Sequence, residues 1–360
     1  MADTPPILTA VKGLLAAALL LLAACTPLPD TIAYADPDTR ASVQPIYVTS
    51  GRLPSTQSLD QQRDRNPNVR FARYDVSIPP THALGQIEWP RDTPDTATDF
   101  AVVGARDFGT DSAFIRAIAE KPGDDVVVFV HGFNNTPSEA LYRFAQIGHD
   151  FGIKAPRILF AWPSSGSARG YIYDRDSVLF SRDPLADLLT DLGRRTNKSI
   201  RLIAHSMGAQ LTMEALRQLA ITGRRDVLDD LRVVTLISPD IDPDLFRAQA
   251  TAIGTLPDPF VIMSNRDDKA LNLAAFLNIG RQKVGNLNEA SHIEGFKIRL
   301  IDFTALEDGS HLDHLVPLTS PLAIGVLRDL INSEENGEVD LSAFDVGADG
   351  VARARPPADG

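Results

Sequence analysis

Ser206 lies between a short apolar run, Ile200 to Ala204, and a helix-forming stretch, Ala209 to Ala220, in the order strand, tight turn, serine, helix. Ala204 and Gly208 flank it at the spacing of a nucleophile elbow, where small residues let strand and helix approach while the serine Oγ projects from the turn. A neutral hydroxyl is a weak nucleophile. It needs an imidazole to take its proton and a carboxylate to fix that imidazole's tautomer. Both types follow in the chain: Asp240, Asp267 and Asp268 stand after apolar runs, and His311 and His314 come after the last of these. The chemistry they could perform together is acyl transfer through a covalent intermediate. The tetrahedral oxyanion would need fixed donors, each worth about 3–4 kcal/mol. The N–H groups of Met207, directly after the serine, and of Phe133, in the loop after His131 and Gly132, are the candidates. The plain alternative for Ser206 is an N-cap of the helix behind it.

These residues need a frame that brings distant loops to one place. Val126 to Val130 is an unbroken apolar run, as expected for a parallel strand covered on both faces. Thr136, Pro137 and Glu139 then supply an N-cap, a first-turn proline and an N3 acid, and the helix behind them runs to Gly152. Further strands are predicted at Arg157 to Trp162, Ile200 to Ala204, Arg232 to Ser238, Phe260 to Ser264 and Phe296 to Thr304. Helices are predicted at Asp183 to Arg195, Ala209 to Ala220, Ala270 to Leu277 and Pro321 to Ile331. This alternation predicts an α/β fold with a mostly parallel, doubly wound sheet, helices on both faces and no large cap domain. The stretch between Pro163 and Ser181 is expected as a loop beside the pocket, and Phe71 to Pro90 as an edge hairpin. In open sheets of this kind ligands collect at the carboxyl ends of the strands, where the serine, acid and histidine all fall.

The chain order serine, acid, histidine is that of the α/β-hydrolases. The His131, Gly132, Phe133 loop, the Ala204 to Gly208 elbow, the Ser238 to Asp242 turn and the Asp268 to Leu271 stretch resemble a bacterial α/β-hydrolase family of unknown function, often labelled esterase or lipase-like. Ile78, Pro79, His82 and Gly85 are similar to it as well. The resemblance covers most of Gln44 to Ile331, and the departure from the usual elbow is Ala204 in place of glycine. It implies a hydrolase fold and a serine-hydrolase activity without a defined substrate. It also implies Asp268 rather than Asp267 as the acid, because Asp268 precedes a basic residue and Ala-Leu. His314 is implied over His311 because it stands ahead of the helix-opening Pro321. Asp240 stays a rival, since some relatives place the acid one strand earlier.

The ends carry other information. Lys12 precedes an apolar run, Leu14 to Ala24, that is too short to span a bilayer, and Leu22, Ala23, Ala24 and Cys25 resemble a lipobox with the chain's one cysteine as the lipidated residue. Thr26 after it points, by analogy, to the outer membrane facing the periplasm. The expected organisation is a signal peptide over 1–24, a tether with one short strand over 25–67, the hydrolase domain over 68–335 and a disordered acidic tail over 336–360. A net charge of -12 without Lys or Arg clusters argues against nucleic-acid binding. No H-E-x-x-H and no Walker-type loop occurs, so neither a metal nor another cofactor is expected. Two functions fit these features: an envelope-anchored serine hydrolase of small-molecule or lipid esters, or a silent hydrolase-fold module that binds an envelope partner.

Overall fold

The computed structural model describes residues 31–51, 65–66, 68–271, 282–286, 293–306, 314–321, 323–325, 328, 344–347 and 350–355. Cys25 and the lipobox, His292, His311, Asp313 and residues 272–277 of an expected helix lie outside them. The central strands are β1 (Ser42–Ser50), β2 (Arg70–Ile78), β3 (Ala101–Asp107), β4 (Asp125–Val130), β5 (Arg157–Ala161), β6 (Ser199–His205), β7 (Leu231–Ile237), β8 (Phe260–Ser264) and β9 (Arg299–Asp302). With β10 (Phe344–Val346) and β11 (Ala352–Ala354) they form an 11-stranded sheet in the order β10-β11-β9-β8-β7-β6-β4-β5-β1-β2-β3. From β11 across to β1 every pairing is parallel. The antiparallel pairs are at the two margins, β1 with β2, β2 with β3 and β10 with β11.

Alternation along the strands divides the core between the two faces. Val126, Val128 and Val130 of β4 pack on one side with Phe114, Leu185, Met213 and Phe246, which lie on helices α1 (Asp111–Ala119), α3 (Tyr171–Arg195), α4 (Met207–Ile221) and α6 (Pro243–Ile253). Val127 and Phe129 pack on the other with Leu141 and Phe144 of α2 (Pro137–Asp150) and with Val316 and Leu318 of α7 (Val316–Thr319). A short helix, α5 (Arg225–Asp229), precedes β7. Each fully buried aliphatic or aromatic side chain of this kind contributes about 1.5–3 kcal/mol.

Several expectations need correction. The strand foreseen inside the tether is β1, wedged between β5 and β2 with Ile46 and Val48 fully buried, so the sheet reaches well ahead of residue 68. The hairpin foreseen over Phe71 to Pro90 is a single strand, β2. Pro79 and Pro80 stop it, and its antiparallel partner β3 comes only at Ala101. The stretch read as a loop up to Ser181 is helical from Tyr171 onward, because Ser177, Val178, Ser181 and Leu185 form a buried stripe that continues into the expected helix. Part of the tail is in the sheet: Phe344, Ala352 and Ala354 are buried, and β11 lies parallel against β9.

A buried clasp joins the β2–β3 connection to the end of α2. His82 Nδ1 lies 2.8 Å from Glu88 Oε2 and its Nε2 lies 2.9 Å from Asp150 Oδ1, while Gln146 and the Gly85 N–H donate to Asp150 Oδ2. Both ring nitrogens face carboxylates, an arrangement that a protonated ring satisfies. Burial works against the charged ring, but hydrogen bonds to Asp150 and Glu88 outweigh it and raise the His82 pKa above 6.5. A pKa raised on folding stabilises the fold fully at pH below 6.5, and that contribution is lost as pH climbs through the folded value. The difference in Tm between wild type and His82→Asn should therefore be largest at mildly acid pH and shrink on the alkaline side. A difference independent of pH, measured by thermal denaturation, would contradict the charged clasp.

Candidate active site

Where strands leave the sheet, the backbone is forced into unusual conformations. Among the described residues the non-glycine positions with positive φ are Asn134 (58°) after β4, Ser206 (53°) after β6 and Ser238 (44°) after β7. All three are at the carboxyl ends of neighbouring strands, so strain is concentrated at one edge of the sheet, as at many functional sites. Ser206 is held there by its own backbone: its N–H donates to Ile237 at 2.9 Å, and its carbonyl accepts from Ala209 at 3.0 Å and Asp240 at 3.2 Å.

Ser206 occupies the N-cap position of α4 but makes no side-chain capping bond. The caps of α1, α2 and α6 do: Thr110 Oγ1 accepts from Ala113 at 3.2 Å, Thr136 Oγ1 from Glu139 at 3.1 Å and Asp242 Oδ1 from Asp244 at 2.9 Å. The plain alternative for the serine is thereby removed. Its side chain is not used to close the helix. The flanking glycines show how tightly the elbow is built. A Cβ on Gly208 would lie 2.2 Å from the His131 carbonyl oxygen, and one on Gly132 would lie 3.0 Å from Ser206 Cβ. Helix α4, strand β4 and the loop after β4 thus meet at the serine, and only 4% of Ser206 is exposed.

The acid and the histidine come together. Asp268, in the turn after β8, is fully buried, and its Oδ2 lies 2.5 Å from Nδ1 of His314. Its other oxygen accepts the Leu271 N–H at 2.9 Å, which fixes the carboxylate plane. Asp267 is exposed. Asp240 is engaged elsewhere, with Tyr171 and Lys283. The His314 ring lies beside the elbow, 4.6 Å between centroids from the ring of His205. Burial first, and His314 second, hold the His205 imidazole well below the ordinary range, so it stays neutral and adds no positive charge next to His314.

The loop after β4 is rigid in the same way. His131 stacks on Trp162 at 5.1 Å between centroids and 9° between planes, and Trp162 Nε1 donates to the His131 carbonyl at 2.7 Å. His131 therefore shapes the loop. Phe133 follows, its ring edge-on to Tyr171 at 5.4 Å, and the Asn134 N–H donates to Asp174 Oδ2 at 3.3 Å. Met207, the other donor candidate, is the first residue of α4, where the helix dipole favours negative charge. The sequence reading placed Tyr171 in the stretch beside the pocket but missed Asp174 and Lys283 as neighbours of the site. Asp174 stands directly before Arg175 and Asp176, and Lys283 follows Arg281 and Gln282, so no local pattern set either apart.

For metals, the described residues offer one group: a donor atom from each of His82, His149 and Asp150, all within 4.8 Å of one another. Two of these, His82 and Asp150, form the clasp described above. His314 is committed to Asp268.

A parallel sheet with helices on both faces, an elbow serine and a buried acid-histidine pair define an α/β-hydrolase fold. The chain belongs to the family described as alpha/beta hydrolase of unknown function (DUF900), which it matches over residues 107–333. Comparison with curated proteins gives no match. Similar solved structures include lipase B of Aspergillus fumigatus, at 15% identity and a TM-score of 0.43 over 70% of this chain and 64% of that one. An esterase from Pyrobaculum calidifontis matches at 12% identity and a TM-score of 0.37, over 83% of this chain and 87% of that one. Carboxyl esterase 2 of Tuber melanosporum matches at 11% and 0.39, over 85% and 91%. The chain spans 64% of the length of the Aspergillus lipase. No described helix is long and apolar enough to cross a membrane.

Proposed function

We propose that this protein is a serine hydrolase that cleaves carboxylic esters through an acyl-enzyme, held in the bacterial envelope by a lipidated Cys25. The observation that carries the reading is the buried Asp268 carboxylate 2.5 Å from His314 Nδ1, beside an elbow whose serine caps nothing. With Nδ1 committed to Asp268, Nε2 of His314 is the nitrogen that takes the Ser206 proton as Oγ attacks the ester carbonyl carbon. Charge then builds on the carbonyl oxygen, toward the N–H groups of Met207 and Phe133. Collapse breaks the carbon to alkoxy bond, and the leaving alcohol takes the proton back from Nε2. Water repeats the sequence on the acyl-enzyme and releases the acid. Asp268 keeps its charge throughout and stabilises the imidazolium. The step uses no metal and no cofactor.

Esters are chosen over amides because an alkoxide leaves a tetrahedral intermediate with less protonation than an amine does. The anchor reading comes from the sequence of Leu22 to Cys25. Each buried methylene of an acyl chain adds about 0.8 kcal/mol of membrane affinity, so several chains hold a protein stably. The test is to express the full chain and Cys25→Ser in bacteria and assay short p-nitrophenyl esters in membrane and soluble fractions. Activity in the membrane fraction that moves to the soluble fraction in Cys25→Ser is the expected result. Absence of ester turnover in both fractions, with folded protein present, would contradict the hydrolase, and unchanged partition would contradict the anchor.

A further inference from the structure

A second cluster of charge lies against the elbow, and the proposed hydrolysis makes no use of it. Asp240 is 3% exposed, and so is Lys283. The Lys283 ammonium lies 2.8 Å from Asp240 Oδ1, as an ion pair rather than an aligned hydrogen bond. The Tyr171 hydroxyl donates to Asp240 Oδ2 at 2.9 Å, and Lys283 Nζ approaches that hydroxyl at 3.4 Å. Burial and the adjacent Asp240 charge push the Tyr171 phenol up, which keeps it a proton donor.

Both ends of the cluster touch the site. The Asp240 N–H donates to the Ser206 carbonyl at 3.2 Å, and the Tyr171 ring meets Phe133 edge-on at 5.4 Å. One turn further along α3, Asp174 accepts the Asn134 N–H, so the start of that helix supports the Phe133 loop twice. The segment that carries Lys283 is itself wedged between two strand exits. Val284 donates to Ile241, Gly285 donates to Pro239 and Asn265 donates to Gly285, each at 2.9 Å. A Cβ on Gly285 would lie 2.5 Å from the Ser238 carbonyl carbon, so the segment has no room to shift. Asn265 in turn accepts the Asp268 N–H at 3.3 Å.

A buried ion pair is weak evidence for stability, because desolvation offsets most of its attraction, and its better-attested use is to specify one arrangement. Here the arrangement is that of the serine elbow against the donor loop. We propose that Lys283 is a positioning residue that, through Asp240 and Tyr171, holds the Ser206 elbow and the Phe133 loop in register. The proposal rests on the serine-hydrolase reading for its catalytic consequence, but not for its structural one. A misplacement of about 1 Å in such a site costs on the order of 100-fold in rate.

The test compares wild type, Lys283→Met and Tyr171→Phe, using the full chain in detergent. Amide hydrogen exchange is followed at residues 132–135 and 206–208, with β3 as a remote reference, together with the rate of fluorophosphonate labelling. Tyr171→Phe keeps the ion pair, so it provides a folded variant even where Lys283→Met does not. Expected are faster exchange confined to the two site segments in each folded variant, and labelling slowed roughly 10- to 100-fold in Lys283→Met with a smaller loss in Tyr171→Phe. Partial recovery in the Asp240→Asn, Lys283→Met double variant, which leaves no buried charge unpaired, would add to the support. Exchange at 132–135 and 206–208 that is unchanged, or that rises equally in β3, overturns the proposal. A wild type that takes no label but shows the selective exchange pattern in the variants contradicts the hydrolase reading and leaves the positioning role standing.

Discussion

Ser206→Ala is expected to lower ester turnover by about 10⁶-fold while leaving the fold and its Tm almost unchanged. The size follows from the role: without Oγ there is no acyl-enzyme, and only binding and oxyanion stabilisation remain to act on a water attack. The unchanged fold follows from the geometry. The Ser206 hydroxyl makes no capping bond to α4, and the contacts that fix the elbow are backbone ones, to Ile237, Ala209 and Asp240, which alanine retains. Alanine must still accept φ near 53°, a conformation costing about 1–3 kcal/mol that serine bears already. A serine serving as an N-cap would show the reverse, with activity kept and stability lowered by about 1 kcal/mol. Steady-state assays and thermal denaturation of the same preparation separate the two.

Asp268→Asn should lower kcat by about 10⁴-fold, equivalent to about 5.5 kcal/mol of transition-state stabilisation. Asparagine preserves shape and can still reach His314, but it can present an N–H to Nδ1. It then favours the tautomer whose Nε2 carries the proton and is unable to accept one from serine. It also removes the negative charge that offsets the imidazolium. Asp267→Asn, on the exposed neighbour, is expected to change kcat little. Asp240→Asn lies between them, because its carboxylate faces Tyr171 and Lys283 and not the histidine. Equal losses for Asp267→Asn and Asp268→Asn in kcat measurements would contradict the assignment of the acid.

The parts that could be read from sequence were those where a local pattern carries its own mechanism. The unbroken valines of β4 required cover on both faces, and Thr136 with Pro137 marked the start of α2 to the residue. The elbow was legible because Gly208 has to pass within contact of the β4 carbonyls, a constraint that few residue types satisfy. What was missed depended on partners far along the chain. The strand within Ser42 to Ser50 was legible, but its place in the central sheet depends on β5 and β2 enclosing it, and the short strands of the tail have meaning only against the open edge at β9. Helix α3 was cut short because glycines, serines and tyrosines near its start read as loop, and Pro184 sits inside it. Helix α6 has a local start signal, Asp242 followed by Pro243, but its apolar stripe of Phe246, Ala250 and Ile253 is short. The resemblance separated Asp268 from Asp267, but setting Asp240 aside needed the fold, because what distinguishes the acids physically is what faces them.

The most direct measurement is covalent labelling of the folded wild-type protein with a fluorophosphonate, followed by peptide mass spectrometry to place the adduct. A single phosphonate on Ser206, absent from His314→Ala, is the result this account predicts, because only a serine with an imidazole at hand reacts at a useful rate. No adduct on a folded wild type, or an adduct on another serine that survives Ser206→Ala, would contradict it.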